Sequence, residues 1–521
     1  MELVQIVLGL VAVCILLAVV ARWAGLPYAV VLILGGAVLA FIPGVPRIEL
    51  DPEIALAFFL PPLLSASAYR TDWRAFRANL RPILLLAVGC VFFTTLVVAV
   101  VARALVPELP WAAAIALGAI VAPPDAVAAA AVLQRMNLPR RVVTVLEGES
   151  LINDASALVL YRLAILAAAA GSVGPWQAAG QFALVGAGGL LAGLAVVAGT
   201  LWVLRRLDDT LLETALSFVA AYGAFLLAEA LHVSGVIAVV TFGIVLGQKQ
   251  HEAMSARTRL EARNVWQFVE FLLTSIVFIL IGLQVNIILS RLDGEAWWLA
   301  SVALVLSLAL IVSRFVWVYP ATYLPRLIPA LGRGDPNPPW RHVFVVSWSG
   351  MRGVVSLAAA IALPIGFPER DLIIFLAFCA ILATLVVQGL TLEWVIRRLG
   401  VQRPVHAEGI DPHVAAARHV AARAQLESVE RRARDEIDGA MAADLLPEYR
   451  DRTRHLALVR RGGGAAAAER AARLTVRLEA LGAARQAVLD HRAAGDLPDE
   501  ALQRLMGELD HDEQRIRSAL G

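Results

Sequence analysis

Residues 1–403 consist almost wholly of apolar runs about as long as a bilayer core is thick, joined by short loops that carry arginine. No other feature of the chain limits its fold so sharply. A helix needs about 20 mostly apolar residues to cross the hydrocarbon core. In lipid every backbone donor and acceptor must find its partner within the chain, which leaves only helices and closed barrels. Runs of this length are helical, so the chain reads as an all-α membrane protein. Thirteen candidate spans can be counted, roughly 3–22, 26–43, 54–70, 80–105, 110–134, 142–170, 176–204, 210–230, 233–248, 265–289, 297–325, 342–364 and 372–397. Two places divide less cleanly: Glu229 and His232 interrupt 210–248, and 54–70 is short and holds Pro61-Pro62. The first run has no basic leader and no small-residue cleavage site before a polar domain, so it reads as a span and not as a signal peptide.

Charge divides the chain in two. From Pro404 onward there are 18 Arg and 20 Asp or Glu in 118 residues, whereas residues 1–403 hold 27 basic and 23 acidic side chains. A 1–403 membrane domain is thus followed by a polar 404–521 tail. This balance excludes a soluble enzyme, a disordered chain and a secreted disulfide scaffold. A net charge of +2 gives no reason to expect a nucleic-acid partner. Cys14, Cys90 and Cys379 lie in apolar runs without metal-like spacing and read as small core- or lipid-facing residues. No cofactor is called for.

Loop arginines and lysine set the orientation. With the N-terminus outside, 19 basic residues fall in inside loops and only Arg47, Arg103, Arg291 and Arg370 fall outside. The bias holds at every loop and places the C-terminus in the cytoplasm. The tail strings 414–440, 466–495 and 500–518 read as helices, with a break at Gly462-Gly463-Gly464. Leu474, Val476, Leu478 and Leu481 give an apolar stripe without sustained heptads. The tail is either regulatory and dimer-supporting or a passive solvated appendage.

Carboxylates deep in a bilayer cost at least ~2.5 kcal/mol each to insert, so they mark function by default. Asp125 stands in the middle of the fifth span, directly after Pro123-Pro124, where two missing N–H groups must break the helix. The sixth span holds Glu147-Gly148-Glu149-Ser150-Leu151-Ile152-Asn153-Asp154, with Glu149/Asn153 and Ser150/Asp154 each four apart as one polar stripe. At 1.5 Å per residue Asp154 lies about 18 Å along this helix, level with Asp125. The twelfth span carries Arg352 between Gly350 and Gly353, which permit unwinding and close approach. The fifth and twelfth spans differ in position by an odd number, so the two interrupted helices run in opposite directions. That arrangement points to inverted repeats with a midplane site. The plain alternatives are a capped proline kink for Asp125 and simple ion pairing for the other acids. For Glu149, pairing with Arg352 is the favoured reading. Arg314 is expected to pair with Glu270 or Glu213.

Together these motifs resemble the NhaP/NHE-type sodium/proton antiporters, a branch of the monovalent cation:proton antiporters. The resemblance is carried by Phe59-Leu60-Pro61-Pro62-Leu63-Leu64, Pro124-Asp125, Glu147 to Asp154, Phe278-Ile279-Leu280-Ile281-Gly282-Leu283-Gln284 and Gly350-Met351-Arg352-Gly353-Val354-Val355-Ser356-Leu357, in order over residues 1–400. It implies about thirteen transmembrane helices with inverted repeats and crossed discontinuous helices, in a homodimer. It also implies that Asp154 is the principal carboxylate for the alkali cation and the proton, completed by Asp125, Ser150 and the Pro124 carbonyl. Asn153 would hold Asp125, and Glu149 would pair with Arg352. An Asn-Asp pair in place of Asp-Asp implies electroneutral exchange. Two positions depart from the pattern. Pro124 replaces a threonine, and Ala66 stands where an acid near the ion is usual, with Ser65 and Ser67 as substitutes.

The expected activity is therefore exchange of Na+, or of K+ or Li+, for H+ across a bacterial inner membrane, in service of sodium and pH homeostasis. Rival classes are a cation channel or membrane sensor, and an intramembrane aspartyl protease. Neither membrane Asp stands in the protease contexts Tyr-Asp and Gly-x-Gly-Asp, since Pro124-Asp125 and Asn153-Asp154 stand instead, and no pore-lining ring segment repeats along the chain.

Overall fold

The computed structural model describes residues 2–43, 52–125, 129, 133, 136, 138–170, 174–290, 296–327, 337–402, 412–434, 439–460, 464–493 and 499–520. Helices dominate, and no strand occurs among the described residues. The chain falls into two compact units, Met1–Gln402 and Arg403–Gly521. The compositional change at Pro404 itself lies outside the described residues.

In the first unit the helices are α1 Glu2–Ala24, α2 Tyr28–Leu39, α3 Pro52–Arg70, α4 Trp73–Ala78, α5 Leu80–Leu105, α6 Trp111–Val121, α7 Arg140–Ala170 and α8 Pro175–Leu204. They continue as α9 Thr210–Ala230, α10 Gly235–Ala253, α11 Ala256–Ser290, α12 Ala296–Tyr323, α13 Trp340–Trp348, α14 Val354–Ile361 and α15 Arg370–Leu399. Described helix falls within each anticipated run, although most of 126–134 lies outside the described residues. Eight of these helices are long and apolar enough to cross a membrane, and α2 and α6 are shorter apolar helices. Asp72 and Asp209 cap the N-termini of α4 and α9 by accepting backbone N–H bonds. A π-helical segment, Leu85–Cys90, widens α5, and another, Thr384–Gln388, widens α15.

Two apolar cores fill this unit. One gathers α2, α6, α11 and α15 around Leu32, Leu117, Phe278 and Leu385; the other gathers α8, α9 and α10 around Val197, Ala224 and Phe242. Helix α3 divides them, since Phe59 and Leu63 face the first core while Leu60, Leu64 and Ala66 face the second. Helices α2 and α11 meet at Gly36 and Gly282, where a β-carbon on either would strike the other's backbone. The three cysteines are free; Cys14 and Cys90 are buried and Cys379 is half-buried.

The second unit contains α16 Pro412–Arg432, α17 Gly439–Arg460, α18 Gly464–Ala493 and α19 Asp499–Leu520. Helix α17 was not among the anticipated tail strings, and it runs through Pro447. The expected stripe on α18 is partial: Leu474, Leu478 and Leu481 are half-buried, whereas Val476 is 62% exposed. Val476 is two residues from either neighbour in the stripe, which on a 3.6-residue turn puts it on another face.

Candidate functional site

Two chain breaks meet inside the first unit. Helix α6 stops at Val121, and residues 122–125 leave helical geometry where Pro123 and Pro124 offer no N–H. Between α13 and α14, residues 349–353 are likewise non-helical. Each break supplies the other's missing partners. The Asp125 N–H donates to the Met351 carbonyl at 2.6 Å. Arg352, 1% exposed, donates from Nε to the Val121 carbonyl at 2.8 Å and from Nη2 to the Ala122 carbonyl at 3.3 Å. It also donates to the Gly350 carbonyl. A guanidinium thus satisfies the last carbonyls of α6, where the helix dipole favours a cation. Gly353 lies so close to Asp125 that a β-carbon there would occupy the carboxylate's place.

The polar string on α7 divides between two faces. Adjacent residues are 100° apart on a helix, so Glu149/Asn153 and Ser150/Asp154 form neighbouring stripes rather than one. Glu149 is 1% exposed and accepts both guanidinium ends of Arg314, at 2.5 and 2.7 Å. The anticipated Glu149–Arg352 pair is therefore corrected. Arg352 is held by carbonyls, and Arg314 is the buried partner. Nor does Arg314 reach Glu270 or Glu213: Glu270 takes Arg70 in a two-point ion pair at 2.7 and 2.8 Å. Asn153, fully buried, donates to the Pro124 carbonyl at 2.7 Å, so it holds the break through that carbonyl.

On its other stripe α7 faces a cavity of about 290 Å3 lying along α3, the divider of the two cores. Its walls include Asp154, Asp125 and Ser150, with Glu147, Arg70 and Glu270 toward the arginine-bearing ends of α3 and α7. Asp154 is 7% exposed. The structure thus brings Asp125, Ser150 and Asp154 to one space. Glu149, Asn153, Arg352 and Pro124 are not among its lining residues, and they stand behind it as supports. Of the two serines after Pro61-Pro62, Ser67 lines the cavity and Ser65 does not; Ala66 is buried in apolar packing and supplies no oxygen.

Thr274 and Ser356 also line the cavity, and sequence reasoning missed both. The Thr274 hydroxyl is buried without a hydrogen-bond partner. Glu270, Thr274 and Phe278 recur every four residues, a stripe that could have flagged it. Ser356 belongs to the motif after Arg352, where the glycines and the arginine drew the attention.

Crossed breaks beside two membrane carboxylates define a membrane carrier and not an enzyme. The chain belongs to the sodium/hydrogen exchanger family: the family model described as "Sodium/hydrogen exchanger, transmembrane" matches residues 9–398. An uncharacterised Na+/H+ exchanger of Mycobacterium tuberculosis is 36% identical over 510 residues, covering 94% of this chain and 91% of the relative. The Na+/H+ antiporter ApNhaP of Aphanothece halophytica is 34% identical and covers 72% of this chain and 70% of its own length. A sodium, potassium, lithium and rubidium/H+ antiporter of Bacillus pumilus is 32% identical over 81% of this chain and 64% of its own. The sodium proton antiporter MjNhaP1 of Methanocaldococcus jannaschii shares the fold, with a TM-score of 0.60, 18% identity, and coverage of 75% of this chain and 100% of that one.

Proposed function

We propose that this chain exchanges Na+ for H+ by alternating access, one for one. The observation that carries the reading is the placement of Asp125 and Asp154 on one cavity whose wall is the crossing of the two breaks. Hard cations take oxygen ligands. Here the two carboxylates and the Ser150 hydroxyl are the oxygens on offer, with the Pro124 carbonyl held behind them by Asn153. Desolvation favours a carboxyl's neutral form and a bound cation favours its charged form, so a cation and a proton compete for one site. Asn153 supports electroneutral exchange, because a neutral amide fastened to Pro124 stands where a second acid would add a charge.

Thirteen crossings with the N-terminus outside fit the arginine bias and the order of the helices. The cavity mouth at Arg70 and Glu147 then opens to the cytoplasm. The plasma membrane of a bacterium, a homodimer and a cytoplasmic, regulatory tail complete the proposal. Exchange of K+ is the second reading. Ala66 adds no charge, and Ser67 and Thr274 offer hydroxyls in place of an acid, a weaker field that suits larger alkali ions.

Proteoliposomes loaded with a pH-sensitive dye decide between these. Proton movement on adding Na+ but not K+ supports the first reading, and the reverse supports the second. No response to either, from pH ~6 to ~9 where a shifted carboxylate titrates, overturns both.

A further inference from the structure

Arg70 is the last residue of α3, and it stands where two close-packed blocks of helices meet. In the first block α10 is seated against the end of α3: a β-carbon on Gly243 or Gly247 would strike Ala68 or Tyr69. Tyr69 also donates its hydroxyl to Gln250 on α10, at 2.5 Å. Glu270 joins α11 to the same end through its two-point pair with Arg70. In the second block Phe76 of α4 and Ile83 of α5 fill the space where Gly148 of α7 would carry a β-carbon. Packing this close transmits displacement, so each block moves together. Only Thr71 and Asp72 separate α3 from α4. The joint between the blocks therefore lies beside Arg70.

Glu147 directly precedes Gly148 on the second block, and it is the unengaged member of the cavity mouth. It lines the ion cavity together with Arg70 and Glu270. Half-buried, it makes no hydrogen bond and no ion pair among the described residues. Arg70 is the cation that bears on its charge, yet both ends of that guanidinium are engaged by Glu270. One arginine thus serves two carboxylates, one on each block. Its five donors suit either. An ion pair in contact with solvent is weak, so the balance between the two partners is easily tipped.

We propose that Arg70 is a latch on the cytoplasmic mouth. In this structure it lies back on Glu270. When the α7 block slides along α3, Glu147 reaches the guanidinium, and the arginine drawn between the two carboxylates closes the mouth. The ion site can then open on the other face without a leak. The latch rests on the alternating access and the orientation proposed above.

The test is the rate at which a membrane-impermeant maleimide labels a reporter cysteine, Val355→Cys, in everted vesicles carrying the full chain. Val355 lines the cavity and is half-buried. Mass spectrometry of the labelled peptide reads this position alone, so Cys14, Cys90 and Cys379 stay in place. Glu270→Gln removes the resting partner and gives Arg70 to Glu147. Labelling should slow about threefold, the scale of a partly exposed ion pair. Glu147→Gln should label at least as fast as wild type, and the double variant should lose the slowing and match Glu147→Gln. If Glu270→Gln does not fold, Arg70→Gln decides: it should label as fast as Glu147→Gln, and slower labelling overturns the latch. Slowing that survives in the double variant means that Arg70 does not use Glu147 and overturns it. A change of the same sign in both single variants reduces the mouth to its net charge and overturns it, as does an unchanged rate in Glu270→Gln. Labelling found only in right-side-out vesicles puts the mouth on the other face and overturns the cytoplasmic latch. No transport is measured. The expected labelling without exchange in proteoliposomes keeps the closing mouth and sinks the exchange reading; exchange without it does the reverse.

Discussion

Glu149 and Asp154 are five residues apart on α7, and both are buried, yet they are treated in opposite ways. Glu149 is closed off by Arg314, whose own charge is further held by the Val346 carbonyl. Asp154 faces a cavity shared with Asp125, Glu147 and Glu270, where the one guanidinium among the described lining residues is that of Arg70, engaged by Glu270. A fixed countercharge makes an acid structural. A cavity with room for a visitor leaves the countercharge to be supplied from outside, and this can be a proton or a cation. Burial alone does not distinguish the two roles; the identity of the partner does.

The sharpest break of this contrast is Asp154→Asn. It should abolish cation/proton exchange in proteoliposomes while the chain elutes and melts as wild type does; retained exchange would show that Asp154 is another structural acid. Next comes Glu149→Gln, which leaves Arg314 buried and unpaired at a cost of about 3–5 kcal/mol. Its Tm and yield of folded protein should fall steeply, and Glu149→Leu combined with Arg314→Met should recover much of the loss. A double variant no better than the single one would mean that the pair does more than hold helices together. Asn153→Ala should have a smaller effect. It frees the Pro124 carbonyl in a buried place, worth about 1–3 kcal/mol, and the exchange rate should drop with the loosened break.

The smallest effect lies in the tail, where the same pairing occurs in water. Arg517 and Arg485 hold the Glu513 carboxyl below its usual value of 4.5. A lowered folded value means that the stabilising contribution is whole above about pH 4.5 and is lost as pH falls through the folded value. Hydrogen exchange at 499–520 in the full chain, corrected for intrinsic rate, should speed up modestly toward about pH 3. Glu513→Gln should remove that dependence. Solvent around the partly exposed arginines screens the pairing and keeps the effect small.

The apolar runs and the breaks were legible in the sequence because length, proline and glycine act locally. Pro123-Pro124 announces a break wherever it falls, and Asp125 beside it is costly at any mid-span position. The partner of Glu149 was not legible. Arg314 and Arg352 are both mid-span arginines, and choosing between them needs the angles at which α7, α12 and α13 cross. The role of Arg352 was written in a subtler place. When Asp125 N–H turns to Met351, the Val121 carbonyl is orphaned, and a nearby cation can satisfy it. That the face of Ser67 and not of Ser65 meets the cavity depends on the rotation of α3, which a run with apolar residues all round does not encode. Helix α17 was not legible: a proline inside a helix removes a hydrogen bond, and only the packed structure shows the helix running through Pro447.

The crossing also has a mechanical consequence. Three hydrogen bonds join the breaks: Asp125 N–H to Met351, and Arg352 to Val121 and to Ala122. Prising the strands apart would strand each donor and acceptor far from water, at about 1–3 kcal/mol apiece. The crossing therefore behaves as a rivet and not as a hinge. Whatever stroke turns the site from one side of the membrane to the other has to carry both broken helices as a single payload. The sliding is left to the seam along α3, where the two cores already part.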